Sequence, residues 1–251
     1  MLTKQRKQVI LALLKQKGQV VAKDISQSMD VSEDTIRRDL RELAQAGLLQ
    51  RVHGGALPAS PAVADFAGRE SIAPEGKVAI GRAAARMIRR GQVVILDGGT
   101  TAREIARHIP RELEATIVTH SPTIALELLH HPEIEVILIG GRLFKHSVVA
   151  VGATAVEAIA KLHADTYFMG VTGIHPKTGL TTGDFEEAAV KRALSNAAAD
   201  TFVLASSEKL NAASPYSIVP LDAISGFITE RSASPQSLRP FEKLKIPITR
   251  A

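Results

Sequence analysis

The stretch "ILDGGTTAREIA", residues 95–106, decides how the larger part of this chain folds. Its apolar start is typical of a buried strand, "DGG" of a tight turn, and "TTAREIA" of the first turns of a helix. Glycines let backbone amides approach an anion closely, and a helix N-terminus adds free N–H groups and a positive dipole. The stretch therefore predicts a strand–turn–helix unit that can hold a phosphate group, although such turns also occur without any ligand.

The same alternation of apolar strand and helix continues over residues 75–251. It predicts an α/β domain with a mainly parallel sheet that is covered by helices on both faces. The pattern does not reveal the order of the strands. The predicted strands are "VVIL" (93–96), "TIVT" (116–119), "EVILIG" (135–140), "TYFMGV" (166–171), "TFVLA" (201–205) and "GFIT" (226–229).

Ligands of open α/β sheets bind at the carboxyl ends of the strands, so residues that follow the predicted strands are the candidates. The chain has neither the Gly-Lys-Ser/Thr of a P-loop nor the Gly-x-Gly-x-x-Gly of a dinucleotide fold, which argues against those two kinds of site. For Lys191, a surface position on an amphipathic helix is the alternative. The candidate ligand-binding residues are Asp97, Gly98, Gly99, Thr100, Thr101, Thr119, His120, Gly140, Gly141, Arg142, Thr172, Lys191 and Lys209.

Residues 1–57 carry a different pattern, with three short helices followed by a glycine-tipped ribbon. Ser32 fits the N-cap of the third helix. On a helical wheel Ile36, Leu40 and Leu43 form a buried stripe, and the arginines lie on the other side. Asp39 is expected to pair with an arginine. Two helices joined by a tight turn, the second with outward arginines, predict a helix-turn-helix DNA reader.

The ribbon "QRVHGGA" (50–56) fits a wing whose basic side chains lie near the DNA backbone, and a purely structural hairpin is the alternative. Arginine is suited to both guanine edges and phosphates. The candidate DNA-binding residues of helix and ribbon are Ser32, Glu33, Thr35, Arg37, Arg38, Arg41, Arg51 and His53.

Composition agrees with a DNA partner at the amino-terminal end. Residues 1–57 hold 10 lysines and arginines against 6 acids, a net charge of +4, whereas the whole chain of 251 residues has +5. The chain has no cysteine, which excludes disulfides and cysteine-based metal sites and fits a cytoplasmic protein. No segment is long and apolar enough to predict a membrane span. Residues 58–74, rich in alanine, proline and serine, are expected to be a linker.

These motifs together resemble the DeoR family of bacterial transcription regulators. "VSEDTIRRDLREL" (31–43) followed by "GLLQRVHGGA" (47–56) is similar to the amino-terminal signature of the family. "LDGGTTAREIA" (96–106), "LIGGRL" (138–143), "GLTTGDFEEAAVKRAL" (179–194) and "ASSEKL" (205–210) are similar to its effector domain, which is related in fold to ribose-5-phosphate isomerase. The resemblance implies a winged helix-turn-helix joined to a sensor of a phosphorylated sugar or related metabolite.

The resemblance also implies roles for single residues. Asp97 would orient the turn or bind sugar hydroxyls, Gly99, Thr100 and Thr101 would hold phosphate, and Lys191 and Lys209 would neutralise its charge. The chain departs from the family at three places. It has "GVTG" (170–173) where relatives often have Gly-Ala-Asp-Gly, His120 where Asn is usual, and Ala205 where many have Asp before the Ser-Ser segment.

Three functions are open at this point. The first is a transcription regulator, expected to be a repressor that acts as a homo-oligomer, dimer or tetramer, on double-stranded operator DNA. The second is a sugar-phosphate isomerase with an added DNA module, which would need a positioned carboxylate. The third is an architectural DNA-binding protein with a vestigial sensor. We expect no catalytic residues and no cofactor besides the effector. We also expect no metal site, because the eight histidines are scattered.

Overall fold

The computed structural model describes residues 2–251, except the side chain of Val63. Its amino-terminal part is a winged helix-turn-helix, as the sequence predicts. Ser32 caps the third helix, since its hydroxyl accepts a hydrogen bond from the Thr35 amide at 3.2 Å. The elements are α1 (Thr3–Lys17), β1 (Val20–Val21), α2 (Ala22–Met29), α3 (Glu33–Gln45), β2 (Leu49–Val52) and β3 (Gly55–Pro58), with the strands in the antiparallel order β1-β3-β2.

A buried ion pair fixes α3 against α1. Two guanidinium nitrogens of Arg6 donate hydrogen bonds to the Asp39 carboxylate, and one of these bonds measures 3.1 Å. Both side chains are buried, so the prediction that Asp39 pairs with an arginine is confirmed. Ile36, Leu40 and Leu43 lie in the core on the same side of α3. The pair and this stripe together determine which face of α3 points outward.

The segment expected to be a linker has secondary structure and packs on the sensor domain. It holds a 3-10 turn (Pro61–Val63) and the short helix α4 (Phe66–Glu70). The Phe66 amide donates to the carbonyl of His146 at 2.8 Å, and Ala62 is buried. We call residues 58–74 the connector. Its composition suggested a linker because few of its apolar residues recur with a regular period.

The sensor domain alternates strands and helices as predicted. The sequence pattern did not predict the two β-hairpins of this domain or its last helix and strand. The elements are α5 (Pro74–Ala85), β4 (Val93–Leu96), α6 (Thr100–His108), β5 (Ala115–Thr119), α7 (Pro122–Glu127), β6 (Ile134–Leu138), β7 (Arg142–Phe144), β8 (Val149–Val151), α8 (Ala153–Ile159), β9 (Ala164–Gly170), β10 (Gly173–His175), β11 (Gly179–Thr182), α9 (Phe185–Asn196), β12 (Ala198–Leu204), β13 (Tyr216–Ser217), β14 (Gly226–Thr229), α10 (Pro235–Lys243) and β15 (Ile248–Arg250).

Seven strands form one parallel sheet in the order β15-β14-β12-β9-β4-β5-β6. Apolar clusters cover both of its faces, one with α8 and α9 and the other with α5, α6 and α7. From β4 the chain moves to β5 on one side and returns later to β9 on the other. A crevice therefore opens between the carboxyl ends of β4 and β9, which is where ligands of such sheets bind. None of the helices in residues 2–251 combines the length and apolar character needed to cross a membrane.

We expect Arg6→Ala to destabilise the helix-turn-helix by about 3–5 kcal/mol, because it leaves the Asp39 carboxylate buried without its partner. Native-state hydrogen exchange of the α1 and α3 amides in the full chain measures the effect. Lys7→Ala is the control, since Lys7 pairs with Glu42 across the same two helices but at the surface. Its expected cost is under about 1 kcal/mol. Equal effects of the two variants would contradict the role given to the buried pair.

Candidate functional site

The outer face of α3 presents an open basic groove. Arg38 and Arg41 are exposed in this groove, and Asp34 and Thr35 line it near the N-terminus of the helix. Arg37 also lines it, and its guanidinium pairs with Glu33 at 2.7 Å. The fold thus brings most of the predicted DNA-binding residues of α3 onto one solvent-facing surface, where arginines can reach base edges or phosphates.

The remaining predicted DNA-binding residues lie at the groove's end and on the hairpin. Ser32 uses its hydroxyl to cap α3 and to contact the Thr35 hydroxyl at 2.9 Å. Arg51 lies on β2 and His53 in the turn between β2 and β3, and both side chains are exposed. The hairpin is therefore free to place two basic side chains near a DNA backbone.

In the sensor domain, the carboxylate of Asp97 joins the carboxyl ends of three neighbouring strands. It lies directly after β4 and accepts hydrogen bonds from the amides of Gly98 at 2.8 Å and Gly170 at 2.7 Å. It also pairs with His120, after β5, and with Lys191 of α9. Burial alone would raise the pKa of Asp97, but Lys191 and His120 outweigh it and hold the pKa well below its usual value.

His120 makes polar contacts through both of its ring nitrogens. Its Nε2 lies 2.8 Å from the Asp97 carboxylate and its Nδ1 lies 2.9 Å from the carbonyl oxygen of Ala150. His120 therefore holds the Asp97 carboxylate in place and links the end of β5 to β8.

The turn "DGG" has the geometry that the sequence predicts for an anion cradle. Gly99 has a φ of +107°, a conformation that favours glycine. A Cβ on Gly98 would lie 2.1 Å from a methyl carbon of Val149, so only glycine fits there. Gly99 is the N-cap of α6, and the first residues of this helix, Thr100 and Thr101, border the crevice between β4 and β9. The helix directs its unsatisfied amides toward that crevice.

Four basic side chains surround this crevice. They are Arg69 of the connector, Lys77 of α5, Lys191 of α9 and Lys209. Lys191 is committed to Asp97 and lies 3.7 Å from Glu187. It is buried, so the alternative of a surface lysine is wrong. The other three bring positive charge to the opening at the end of α6.

Arg69 is the cation whose bonding is incomplete. Its Nε and Nη2 atoms are buried and have no hydrogen-bond partner among residues 2–251. Burial lowers the pKa of Arg69, although Glu187 and Asp97 oppose the shift. Two buried donors on a cation without an acceptor are costly, and a bound anion would satisfy both.

Two acidic side chains border the same cavity. Glu187 accepts a hydrogen bond from the Thr182 hydroxyl at 2.6 Å. Glu208 accepts one from the Ser206 hydroxyl at 2.6 Å through Oε1. Its Oε2 is buried and has no hydrogen-bond partner in the described part of the chain. The cavity therefore offers donors for an anion and one acceptor for a hydroxyl group.

The structure brings seven of the predicted ligand-binding residues to the cavity and leaves others outside its lining. Thr119 and His120 lie behind it, where both are buried. Gly140, Gly141 and Arg142 lie away from it, and Arg142 pairs with Glu186 at the surface. The pattern "IGGR" follows β6, which is one of the two edge strands of the sheet. The distance of this pattern from the crevice therefore depends on strand order. The residues that line the cavity are Gly98, Gly99, Thr100, Thr101, Thr172, Lys191 and Lys209.

Arg69 and Lys77 were missed by the sequence analysis. Arg69 lies in a segment expected to be a linker, and Lys77 lies on a helix that precedes the first sensor strand. A basic residue in "GRES" (68–71) carries no local signal for ligand binding. No group of three or more histidine, aspartate or glutamate side chains suited to one metal ion is found within residues 2–251.

Comparisons with known proteins give the same two modules. Residues 6–61 match the family described as DeoR-like helix-turn-helix domain, and residues 72–231 match the DeoR C terminal sensor domain. The chain is 34% identical to the HTH-type transcriptional regulator GlpR of Haloferax volcanii over 99% of its own length and 98% of that protein. It is 33% identical to the glycerol-3-phosphate regulon repressor of Escherichia coli (strain K12), over 76% of each chain.

One solved structure also matches part of the chain. Ribose 5-phosphate isomerase A of Methanocaldococcus jannaschii matches 53% of this chain and 52% of that one, with 17% identity and a TM-score of 0.40.

Lys209 should make anion binding dependent on pH. Burial and the nearby Lys77, Arg69 and Lys191 lower the pKa of Lys209 to about 8, against the attraction of Glu208. Lys209 is therefore charged below pH 8 and increasingly neutral above it. We expect the affinity for sulfate, whose charge does not change in this range, to fall by up to about fivefold between pH 8 and 9, as the protonated fraction of Lys209 falls. Calorimetric titration with sulfate at pH 7, 8 and 9 measures this.

Lys209→Met should flatten the curve of sulfate affinity against pH. Lys243→Met, at an exposed position on α10, should leave this curve as in the wild type. A flat wild-type curve, or one that Lys209→Met does not change, would show that Lys209 does not contact the anion.

Proposed function

The chain belongs to the DeoR family of transcriptional regulators, and we propose that it is a repressor of carbohydrate catabolism genes that a phosphorylated sugar or related metabolite releases from DNA. The observation that carries this proposal is the pair of buried guanidinium donors of Arg69 that have no partner among residues 2–251, on a residue that lines a cavity bordered by lysines and by the N-terminus of α6.

A phosphate group suits this cavity for reasons of charge and geometry. Arg69, Lys77 and Lys209 supply charge-assisted donors, and a guanidinium matches two phosphate oxygens at once. The backbone amides after Gly99 add donors and the favourable end of the helix dipole. Asp97 lies beneath the cavity floor with all its acceptor capacity directed to other groups, so it positions the turn that would hold the ligand.

A hydroxyl-bearing ligand suits the acidic side of the same cavity. Oε2 of Glu208 is a buried acceptor without a donor in residues 2–251. The hydroxyl of a sugar or polyol would donate to it, whereas a simple inorganic anion would not. A molecule that carries both a phosphate and hydroxyl groups therefore satisfies the unpaired groups on both sides. One relative is named for the glycerol-3-phosphate regulon, which supports the same ligand class.

The connector gives a route by which the ligand can act on the DNA reader. The amide of Ala213 donates to the carbonyl of Pro58 at 3.3 Å, and Ala59 bridges to Ala213. The connector's 3-10 turn packs against the turn Ser207–Lys209. The segment that follows the wing is thus held by the loop that carries Lys209, and it also supplies Arg69. A ligand that binds both cations would shift the equilibrium between two placements of the wing.

The two other functions have less support. The protein is a regulator rather than an enzyme, in keeping with relatives that are named as regulators and repressors. Turnover assays with sugar phosphates test the isomerase alternative directly. A vestigial sensor would not retain buried, partnerless donors of the kind seen on Arg69, because they cost stability. A change of operator affinity on adding ligand separates the regulator from an architectural protein.

The expected partners follow from this function. We propose that double-stranded operator DNA binds across α3 and the wing, and that a homo-oligomer reads paired half-sites. The proposal needs no cofactor besides the effector itself. We place the protein in the cytoplasm, where a regulator meets both chromosomal DNA and phosphorylated metabolites.

Arg38→Ala should weaken operator binding by about 1–3 kcal/mol if Arg38 contacts a base, because its exposed guanidinium makes no structural pair among the described residues. Fluorescence anisotropy with operator DNA at fixed salt measures the dissociation constant. Arg111→Ala removes an exposed arginine of the sensor domain and serves as the matched control for net charge. Equal losses in the two variants would mean that α3 does not read the DNA through Arg38.

Arg69→Met should weaken ligand binding, so that DNA is no longer released at the wild-type ligand concentration, without destabilising the apo protein. A thermal-shift screen of sugar and polyol phosphates identifies the ligand, which adds ~2.7 kcal/mol of stability at 100 times its dissociation constant. Loss of the guanidinium should remove about 1.5–3 kcal/mol of binding energy. Apo stability should hold or rise, since Arg69 has two donors that nothing in residues 2–251 satisfies.

Arg107→Met is the matched control, because Arg107 lies on α6 but pairs at the surface with Glu104 and Glu127. Operator affinity with and without ligand is measured for the wild type and both variants. A folded Arg69→Met protein that still released DNA at the wild-type ligand concentration would overturn the assignment of this cavity.

A further inference from the structure

One edge of the parallel sheet is left unprotected. The edge strand β6 pairs only with β5 in the part of the chain that the structure describes. It reads "IEVIL" (134–138) and contains no lysine, arginine or proline. The outer row of N–H and C=O groups on such a strand is a template for pairing with another strand.

Two apolar side chains of β6 are exposed, in addition to Glu135. Ile137 and Leu138 are 37% and 50% exposed. The neighbouring helix α7, which packs against β6, adds Leu126, and Leu129 follows just after it, at 67% and 68% exposure. Ile137 lies on the face of the sheet opposite α7, because consecutive strand residues alternate and Ile134 and Val136 face that helix. We call Leu126, Leu129 and Leu138 the edge patch. Isolated exposed leucines are ordinary, but a group beside an unpaired strand marks an interaction surface.

The opposite edge of the same sheet is protected. Strand β15 has only three residues, Ile248–Arg250. Arg250 turns its guanidinium to the carbonyl oxygens of Arg231 at 2.6 Å and Ala233 at 3.1 Å. A short strand discourages pairing. Strand β6, with five residues, offers a longer edge than β15, and Glu135 is its one charged residue.

We propose that β6 pairs antiparallel with β6 of a second copy of this chain, so that one sheet runs through both sensor domains. A two-fold axis makes such an interface self-complementary. The choice of a second copy rests on the proposed function, since helix-turn-helix proteins read paired half-sites through symmetry. The edge patches of the two copies would pack together beside the paired strands.

The hydrogen bonds of β6 restrict the register. The amide of Ile139 donates to Thr119 and the carbonyl of Glu133 accepts from Ala115, both on the β5 side. Backbone groups alternate along a strand, so those of Val136 and Leu138 point outward. In an antiparallel pair of two copies, outward residues of one strand lie opposite outward residues of the other. The two-fold axis that relates the copies can therefore pass through Glu135, Val136 or Ile137.

Charge removes one of these registers. An axis through Glu135 would set two carboxylates opposite each other, which is destabilising. An axis through Val136 sets Glu135 opposite Ile137 of the other copy, and an axis through Ile137 sets Glu135 opposite Ile139. Both of these registers keep the two Glu135 carboxylates apart and bring apolar side chains together. The strand is therefore suited to pair with itself in two registers.

The test uses the absence of cysteine from the chain. Val136→Cys and Ile137→Cys each place one thiol on the axis of one register, within disulfide reach of its symmetry mate. Under mild oxidation without DNA or ligand, we expect one of the two variants to form a covalent dimer in more than about half of the molecules. Thr249→Cys, exposed on β15, is the matched control and should stay at the background level.

The solution mass gives a second measurement that does not depend on a disulfide. Light scattering should show a dimer or larger for the wild type, and Ile137→Lys should halve the mass. A monomeric wild type, an unchanged mass for Ile137→Lys, or crosslinking of both β6 variants no better than Thr249→Cys would each overturn the proposal. A foreign strand as the natural occupant would give these negative results.

Neither measurement includes operator or sugar phosphate. A failure of the dimer proposal is therefore distinguishable from a failure of the proposed function, which is tested by operator affinity with and without ligand.

Discussion

The carboxylate of Asp97 is the interaction on which the sensor site depends. One buried acid is bonded by two backbone amides, a histidine and a lysine, and these donors come from β4, β5, β9 and α9. Such a charge is tolerated in the interior only because every partner is in place. The same bonds determine the path of the "DGG" turn and direct the N-terminus of α6 toward the crevice. The proposed anion site is thus built around a charge that does not itself line the cavity.

The connector ties this site to the DNA reader. A linker of random conformation would let the two modules act independently, whereas here residues 58–74 form part of the cavity wall. Arg69 contributes two unsatisfied donors to that wall, and the segment just before it is bridged to Ala213. An anion that binds Arg69 therefore changes the energy of the segment that leads to the wing. Coupling of this kind requires two states of the protein with unequal ligand affinity. The unpaired donors of Arg69 supply this difference in affinity.

The two edges of the sheet show how surface and function are related. An α/β sheet needs no exposed edge for its own stability, and β15 is short and ends on a bonded arginine. The exposed β6 edge carries a risk of aggregation, because its outer backbone groups can pair with another strand. That risk is removed if a second copy covers the edge, and a symmetric pair of sensors is what a regulator of paired half-sites requires.

The sequence by itself determined the elements that local physics controls. Capping by Ser32, the apolar stripe of α3, the "DGG" turn and the strand "VVIL" follow from neighbours within a few residues, so their bounds agree closely with the structure. Strand order, and with it the place of "IGGR" outside the cavity, depends on contacts between distant segments. Lys191 reaches Asp97 across 94 residues of sequence, and its burial is invisible in the helical pattern. Arg69 and Lys77 became site residues only because tertiary packing laid the connector and α5 over the crevice, since no local period distinguishes a basic residue that lines a cavity from one that faces water.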